Sequence, residues 1–175
     1  MTILIIILII IAIPFILGAF GADDFTIESS IIIHKPKQQV YDYIKLLKNQ
    51  DHYSKWVMAD PAMRKTFTGT DGTIGFIYAW ESENKQVGEG AQEIIRLTEG
   101  ESMDCEVRFI KPFTGTSYTT FETKTISPEQ TDVKWIFKGT KNYMMKVMHI
   151  LFNLQKVLKK DMDTSLATLK NILEK

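Results

Sequence analysis

The residue types that carry most protein chemistry are sparse in this sequence, and they are not grouped. The three histidines, His34, His52 and His149, fall on different predicted elements, and no two of them have the spacing of metal ligands. The chain contains no Gly-x-Ser-x-Gly segment to present a nucleophile and no glycine-rich phosphate loop. The sequence therefore predicts no metal site and no cofactor, and it assigns no catalytic residue.

The cysteine content is as limited as the histidine content. Cys105 is the only cysteine, which excludes an internal disulfide and a cysteine-rich zinc site. It alternates with Met103, Val107 and Phe109 as in a strand, and no histidine lies near it in sequence. We interpret it as a small buried apolar side chain rather than as a reactive thiol.

Two charged residues within strand-like segments each have two possible roles. Arg108 stands between Val107 and Phe109, so a regular strand directs its side chain away from theirs. It belongs either to a solvated outer face or to a cavity, where its cation would bind an acidic ligand group. Glu93 shares its strand face with polar residues at one end and apolar residues at the other, which leaves the same two alternatives.

Aromatic residues recur at strand spacing and are candidates to line an internal cavity. Tyr78 and Trp80 share one strand face, and Trp135 shares a face with Phe137 on a later strand. A Tyr or Trp side chain combines an apolar body with one hydrogen-bonding group, which suits a cavity wall as well as a core. Trp56, in a short helical stretch, is a further candidate.

Hydrophobic periodicity predicts the elements that position these residues. Two short helical stretches follow the first strand, and Asp60-Pro61 ends the second. From residue 144 to residue 173 apolar residues recur every three or four positions without proline, which predicts one continuous helix of about eight turns. Alternation predicts strands over residues 25–33, 63–67, 76–80, 87–97, 103–109, 118–126 and 133–137.

One sheet and one long helix must bury their apolar faces against each other. We therefore predict an α+β, helix-grip fold, in which a curved antiparallel sheet of about seven strands surrounds a long C-terminal helix. The gap between them becomes a ligand cavity. On the helix we expect Met148, Leu151 and Phe152 at the mouth or floor of this cavity, although methionines serve equally well as adaptable core filler.

The overall composition is that of one ordinary globular domain. The 175 residues include 21 Lys and Arg against 21 Asp and Glu, so the formal net charge is zero. Nucleic-acid-binding proteins usually carry a basic surplus. We predict a monomer that does not bind nucleic acid.

The N-terminal segment differs from the rest of the chain. Residues 3–20 carry no charge, and roughly 20 apolar residues are needed to cross the hydrocarbon core as a helix. No Lys or Arg precedes the run, so the basic part of a signal peptide is missing. We predict that residues 1–21 are a retained transmembrane anchor, or an uncleaved signal, and that residues 22–175 form the ligand-binding domain. Charge around the segment weakly favours a single-pass protein with an extracytoplasmic domain.

The order of elements and several short motifs resemble the START and birch-pollen-allergen (SRPBCC) superfamily, in its polyketide cyclase/dehydrase and lipid-transport family. The resemblance spans residues 25–175 and implies a helix-grip domain for a hydrophobic ligand. It is greatest with a membrane-anchored bacterial subgroup, although Lys35 stands where the family usually has a small residue. The segments that match the family are 33–36, 40–44, Trp56, 72–75, 131–135, and Leu169-Lys170 with Glu174. Those that match the subgroup are 48–51, 76–83 and 108–113.

Three functions are compatible with these observations. The first is a membrane-tethered domain that binds a lipid-like or polyketide-like molecule. The second is a cyclase or lyase that uses a polar pair in the same cavity, and the third is a protein-interaction module whose cavity is incidental. The lack of a catalytic constellation in the sequence disfavours the enzyme.

Overall fold

The computed structural model describes residues 12–175. Seven strands are present in this part of the chain, as the alternation predicts, and they are β1 (Asp24–Ile33), β2 (Arg64–Thr68), β3 (Ile77–Glu81), β4 (Glu89–Thr98), β5 (Ser102–Lys111), β6 (Gly115–Ser127) and β7 (Gln130–Thr140). The helices are α1 (residues 12–20), α2 (Lys37–Ile44), α3 (Gln50–Tyr53), α4 (Lys55–Met58), α5 (Tyr143–Phe152) and α6 (Leu154–Leu173), with a 3-10 turn at Leu47–Asn49.

The seven strands form one antiparallel sheet in the order β1-β7-β6-β5-β4-β3-β2. Successive strands are neighbours from β2 to β7, and β1 adds to the far side of β7. The pairing of β4 with β5 shifts register near Gly90 and again between Ile94 and Arg96. Such irregularities bend a strand and increase its twist, which helps the sheet to curve around a helix.

The inner face of the sheet packs on α6. Met162, Leu166, Leu169 and Leu173 of this helix are buried at steps of three or four residues, so they form one stripe. This stripe belongs to the same core as the inward-facing residues of the strands, and α6 packs most extensively on β1. The predicted helix-grip architecture is therefore confirmed.

The predicted continuous C-terminal helix is wrong in one respect, because it is broken at Asn153. This residue is in the left-handed conformation, with φ at 46° and ψ at 50°, and it separates α5 from α6. Asparagine tolerates this conformation better than most residues. The two helices are packed differently: α6 lies on the sheet along its whole apolar stripe. α5 meets the sheet at His149, whose ring lies 5.3 Å from that of Phe25, and buries Val147 against Gly18 of α1. The predicted short helix around Trp56 is likewise two helices, α3 and α4, which meet at Ser54.

The predicted membrane anchor falls only partly within the described residues. Residues 3–11 lie outside them, and residues 12–20 form α1. The Tyr143 hydroxyl of α5 donates a hydrogen bond of 3.0 Å to the carbonyl oxygen of Phe15 in α1. Over residues 12–175, the helices are too short or insufficiently apolar to cross a membrane.

Candidate functional site

The space between the sheet and α6 is occupied by aromatic side chains. The rings of Trp135 and Phe121 stack with their centroids 4.7 Å apart, on neighbouring strands where the two residues are directly opposite. Trp56 of α4 reaches over them, with its ring centroid 5.3 Å from that of Trp135 and 5.8 Å from that of Phe137. Two of the predicted cavity residues, Trp56 and Trp135, are therefore in contact with each other inside the domain.

Trp56 is held in this position by polar contacts between α4 and α6. Its indole Nε1 donates to a carboxylate oxygen of Asp161 at 3.2 Å, and Lys55 forms an ion pair with the same carboxylate. The backbone N–H of Lys55 donates to the Ser165 hydroxyl at 2.9 Å. Because α4 has four residues and none of them is buried, it is attached by these bonds and by the half-buried side chains of Trp56 and Val57.

Tyr78 and Trp80 both face inward from β3, as their alternation predicts. The buried Tyr78 hydroxyl donates to Asp51 at 2.7 Å, and Asp51 also pairs with Lys65 at 2.9 Å. Burial and the hydrogen bond to Asp51 raise the pKa of Tyr78, so its hydroxyl keeps its proton.

The half-buried Trp80 lies at the end of β3, over the backbone of β4. A Cβ atom at Gly90 would come within 2.5 Å of the indole, so only glycine fits beneath this ring. The indole meets Phe109 edge-on, with centroids 6.2 Å apart, and its Nε1 donates to the Val87 carbonyl at 3.4 Å. Trp80, Phe109 and Val87 thus meet at one end of the sheet.

The interior also contains neutral polar groups. The buried Tyr53 hydroxyl has no hydrogen-bond partner among the described residues, and burial raises its pKa. Burial also raises the pKa of the Cys105 thiol to about 12, against a smaller lowering by its hydrogen bond with Gln92. Tyr53, Tyr78 and Cys105 are therefore all uncharged at neutral pH. They can donate or accept hydrogen bonds but do not act as strong bases.

Glu93 and Arg108, the charged candidates, lie on the outer face of the sheet. Arg108 donates to Glu93 at 2.8 Å and to Glu106 at 2.6 Å. The cavity role predicted as one alternative for both residues is therefore corrected in favour of the outer face. The physical reason is strand alternation, because Ile94 and Val107, their direct neighbours, are buried on the inner face.

The predicted positions of Met148, Leu151 and Phe152 also need correction. Met148 is half-buried, while 51% of Leu151 and 57% of Phe152 are exposed. These residues belong neither to the core nor to the side chains packed around it. Since Asn153 separates α5 from α6, the apolar face of α5 is not a continuation of the α6 face that meets the sheet.

Two open clefts lie on the surface of the described residues. One of about 370 Å³ runs between β1 and the start of α6, where Glu28 and Lys156 line it. The other, of about 260 Å³, lies between α4 and α6 and is lined by Tyr53, Met58 and Thr168. The predicted cavity residues line neither cleft. Within residues 12–175, no group of three His, Cys, Asp or Glu side chains is arranged to hold a metal ion.

Several residues of this site have no role in the sequence-based predictions. Asp51 and Asp161 bond to aromatic partners that lie 27 and 105 residues away in the chain, and a single sequence carries no signal for such pairs. Gln92 does have a sequence signal, because it alternates with Gly90 and Ile94 on the buried face of β4. A polar residue at an inward position of a strand is a reasonable candidate for an interior hydrogen bond.

Comparison with known proteins identifies the architecture. No protein-family model matches the sequence, and no curated protein matches it. Truncated norcoclaurine synthase from Thalictrum flavum superposes with a TM-score of 0.65 at 9% identity, over 86% of this chain and 93% of that one. The chain has the helix-grip fold.

Other structures with the helix-grip fold agree. The Aha1 dimer from Colwellia psychrerythraea gives a TM-score of 0.60 at 14% identity, over 86% of this chain and 96% of that one. Ara h 8.0201 gives 0.56 at 11% identity, over 86% and 97%. The helix-grip fold that they share with this chain is the fold that its sequence motifs predict. At such low identity the likeness is one of fold.

Proposed function

We propose that this chain is a membrane-tethered domain that binds a lipid-like or polyketide-like small molecule between the sheet and α6. The observation that carries the proposal is an incompletely covered aromatic surface. Trp80, Val87 and Phe109 point into the domain at one end of the sheet, yet all three are only half-buried, as is Trp56. Inward-facing apolar side chains that lack full cover are typical of the entrance to a ligand site.

Entry of a ligand requires Trp56 to move, because its ring now occupies the space over Trp135. The short helix α4 is suited to this movement, since it contributes no buried residue to the core. Its bonds to Asp161 and Ser165 can be exchanged for bonds to water when α4 swings outward. The proposed ligand therefore replaces the Trp56 ring against the inner face of the sheet.

The polar groups of the interior suggest the kind of ligand. A buried hydroxyl without a partner costs about 1–3 kcal/mol, and Tyr53 carries such a hydroxyl. A mainly apolar molecule with one carbonyl, hydroxyl or protonated carboxyl group would satisfy it. Because Tyr53, Tyr78 and Cys105 all keep their protons at neutral pH, this interior favours binding of a neutral polar group.

The membrane tether is the second part of the proposal. It rests on the uncharged run of residues 3–20, which we expect to remain attached and to hold the domain outside the cytoplasm as a monomer. Intact mass and membrane fractionation test it. A mature protein that begins near Ala22 and is released from membranes would contradict it.

The alternative of a cyclase or lyase requires an ionisable pair beside the ligand. The sequence suggested Glu93 and Arg108, but both lie on the outer face of the sheet. Arg108 forms ion pairs there with Glu93 and Glu106. The third alternative, an interaction module, predicts that the domain contains no ligand. A binding assay therefore separates the binding domain from the interaction module, and turnover of a candidate polyketide separates the enzyme from both.

The test is capture of an apolar molecule by the full chain. Denaturing extraction followed by mass spectrometry should release a bound lipid, and a fluorescent fatty acid should bind to the stripped protein. Trp56→Ala should lower the Kd for this probe by about tenfold, because the ligand then no longer has to displace the ring. Tyr118→Ala, which alters an exposed aromatic residue on the outer face of β6, should leave the Kd unchanged. Failure of the wild-type chain to retain or bind any apolar molecule would favour the interaction module.

A further inference from the structure

Helices α1 and α5 expose an unusual amount of apolar surface. The large apolar side chains that are two-fifths or more exposed include Ile16 on α1 and Tyr143, Met144, Ile150, Leu151 and Phe152 on α5. We call these six residues the α1–α5 surface. A contiguous exposed apolar patch of this kind marks a site of interaction with a partner or a membrane.

The two helices form one body. Gly18 lets α1 approach α5 so closely that a Cβ atom there would lie 2.8 Å from Cγ2 of Val147. Val147 is buried by this contact, and the hydrogen bond from Tyr143 to Phe15 fastens the same helices. Positions 143, 147 and 150 share one side of a helix, so Tyr143 and Ile150 flank the contact with α1. The exposed side chains of both helices are therefore adjacent.

α5 and the start of α6 carry only positive charge up to residue 160, while Asp23 and Asp24 follow α1. Residues 141–160 include five lysines and no Asp or Glu, although the whole chain has no net charge. Lys146 pairs with Asp23 and Lys159 with Asp163, which leaves Lys141, Lys156 and Lys160 without an ion pair in the described residues. Apolar side chains flanked by lysines are typical of helices that lie in the interface of an anionic membrane.

The neighbouring sequence indicates a bilayer rather than a second protein. α1 follows directly on residues 3–11, which are entirely apolar and uncharged. Because α1 is the last part of the proposed tether and packs on α5, the medium that surrounds the tether also contacts the exposed side chains of α5. A water-exposed position would leave the same side chains uncovered.

We propose that the α1–α5 surface lies in the interface of a bilayer containing anionic lipids, with α5 resting on the membrane that the tether enters. The inference deepens the proposed function and rests on its tether. The break at Asn153 lets α5 lie along the membrane independently of α6, which stays packed on the sheet. The domain is then held against the lipid from which an apolar ligand would come.

Depth-dependent fluorescence quenching of the full chain tests this contact. Phe152→Cys and Phe113→Cys, each labelled with bimane, are reconstituted in phosphatidylcholine vesicles with about a quarter phosphatidylglycerol and doxyl-labelled lipid. The two phenylalanines are matched, since they are 57% and 58% exposed, and Cys105 is buried and stays in place. We expect quenching at position 152 at least about twofold stronger than at 113, and weaker without phosphatidylglycerol.

A third label at Ile9→Cys separates the two proposals. Strong quenching at position 9 with equally weak quenching at 152 and 113 would overturn the α1–α5 contact and keep the tether. Weak quenching at all three positions would overturn both. If position 152 is shielded from lipid and the chain runs as a dimer on size exclusion, a second copy covers the surface and the inference is wrong. A melt of each variant checks that the domain is folded.

Discussion

At the scale of single residues, burial separates side chains that the sequence pattern treats alike. Leu169 and Leu151 both belong to the predicted apolar stripe, but Leu169 is fully buried against the sheet and 51% of Leu151 is exposed. Leu169→Ala should lower the free energy of unfolding by about 2–5 kcal/mol, because it leaves a cavity in the core. Leu151→Ala should change it by less than about 0.5 kcal/mol. Urea denaturation measures both, and equal losses would contradict the assignment of α5 and α6 to different surroundings.

A second prediction concerns His149 on α5. Its Nδ1 atom is buried without a partner among the described residues, its ring lies 5.3 Å from Phe25, and burial lowers its pKa below the ordinary 6.5. The unfolded chain then binds a proton more readily than the folded chain. The contribution of His149 is therefore present above pH 6.5 and is lost as the pH falls through the lower, folded pKa.

The matched variant for this prediction is His149→Phe, which keeps an aromatic ring and cannot be protonated. Thermal melts between pH 7 and pH 5 should show a smaller loss of Tm for His149→Phe than for the wild-type chain. The same loss in both proteins would assign the acid sensitivity to other groups. Nearby Lys141 also lowers the pKa of His149, so Lys141→Gln should raise it.

Residue-scale features differ in how far the sequence can predict them. The inward direction of Tyr78 and Trp135 follows from strand alternation, and the same rule directs Arg108 outward. The partners of these residues do not follow, because Asp51 and Asp161 reach the site only after distant segments have folded together. The missing information is tertiary packing, which leaves no periodic signal in a single sequence.

At the scale of elements, Asn153 decides how the C-terminal helices are arranged. A non-glycine residue at φ of 46° is strained, and asparagine tolerates this better than alanine does. Asn153→Ala should therefore destabilise the domain by about 1 kcal/mol, while Asn153→Gly should be neutral or slightly stabilising. Denaturation of the three proteins measures the difference. A stabilising Asn153→Ala would show that a continuous helix is the preferred form.

The elements themselves were predictable where one face is buried and the other solvated. The seven strands alternate clearly enough to be located within a few residues, and the α6 stripe has the period of a helix. The break was missed because Leu151, Leu154 and Leu158 continue the three-and-four spacing through it. Neither glycine nor proline marks the position, and asparagine is a weaker signal for the end of a helix.

At the scale of the whole molecule, the hydrophobic core lies outside α1. The core extends from Phe25 to Leu173 and includes no residue of α1. A fragment that begins at Ala22 should therefore melt cooperatively as a monomer, which circular dichroism and size exclusion measure. Amide exchange in α5 should be faster than in the full chain, because Val147 loses its cover at Gly18. The lack of a cooperative transition would mean that α1 belongs to the fold.

The buried Cys105 can report how often the domain opens. Cys105 is the only thiol and has no exposed surface, and burial raises its pKa to about 12. A thiol reagent can react with it only during excursions that part the sheet from the helices above it. In excess reagent the labelling rate then equals the rate of opening. A molecule bound in the interior would lower this rate in proportion to its occupancy.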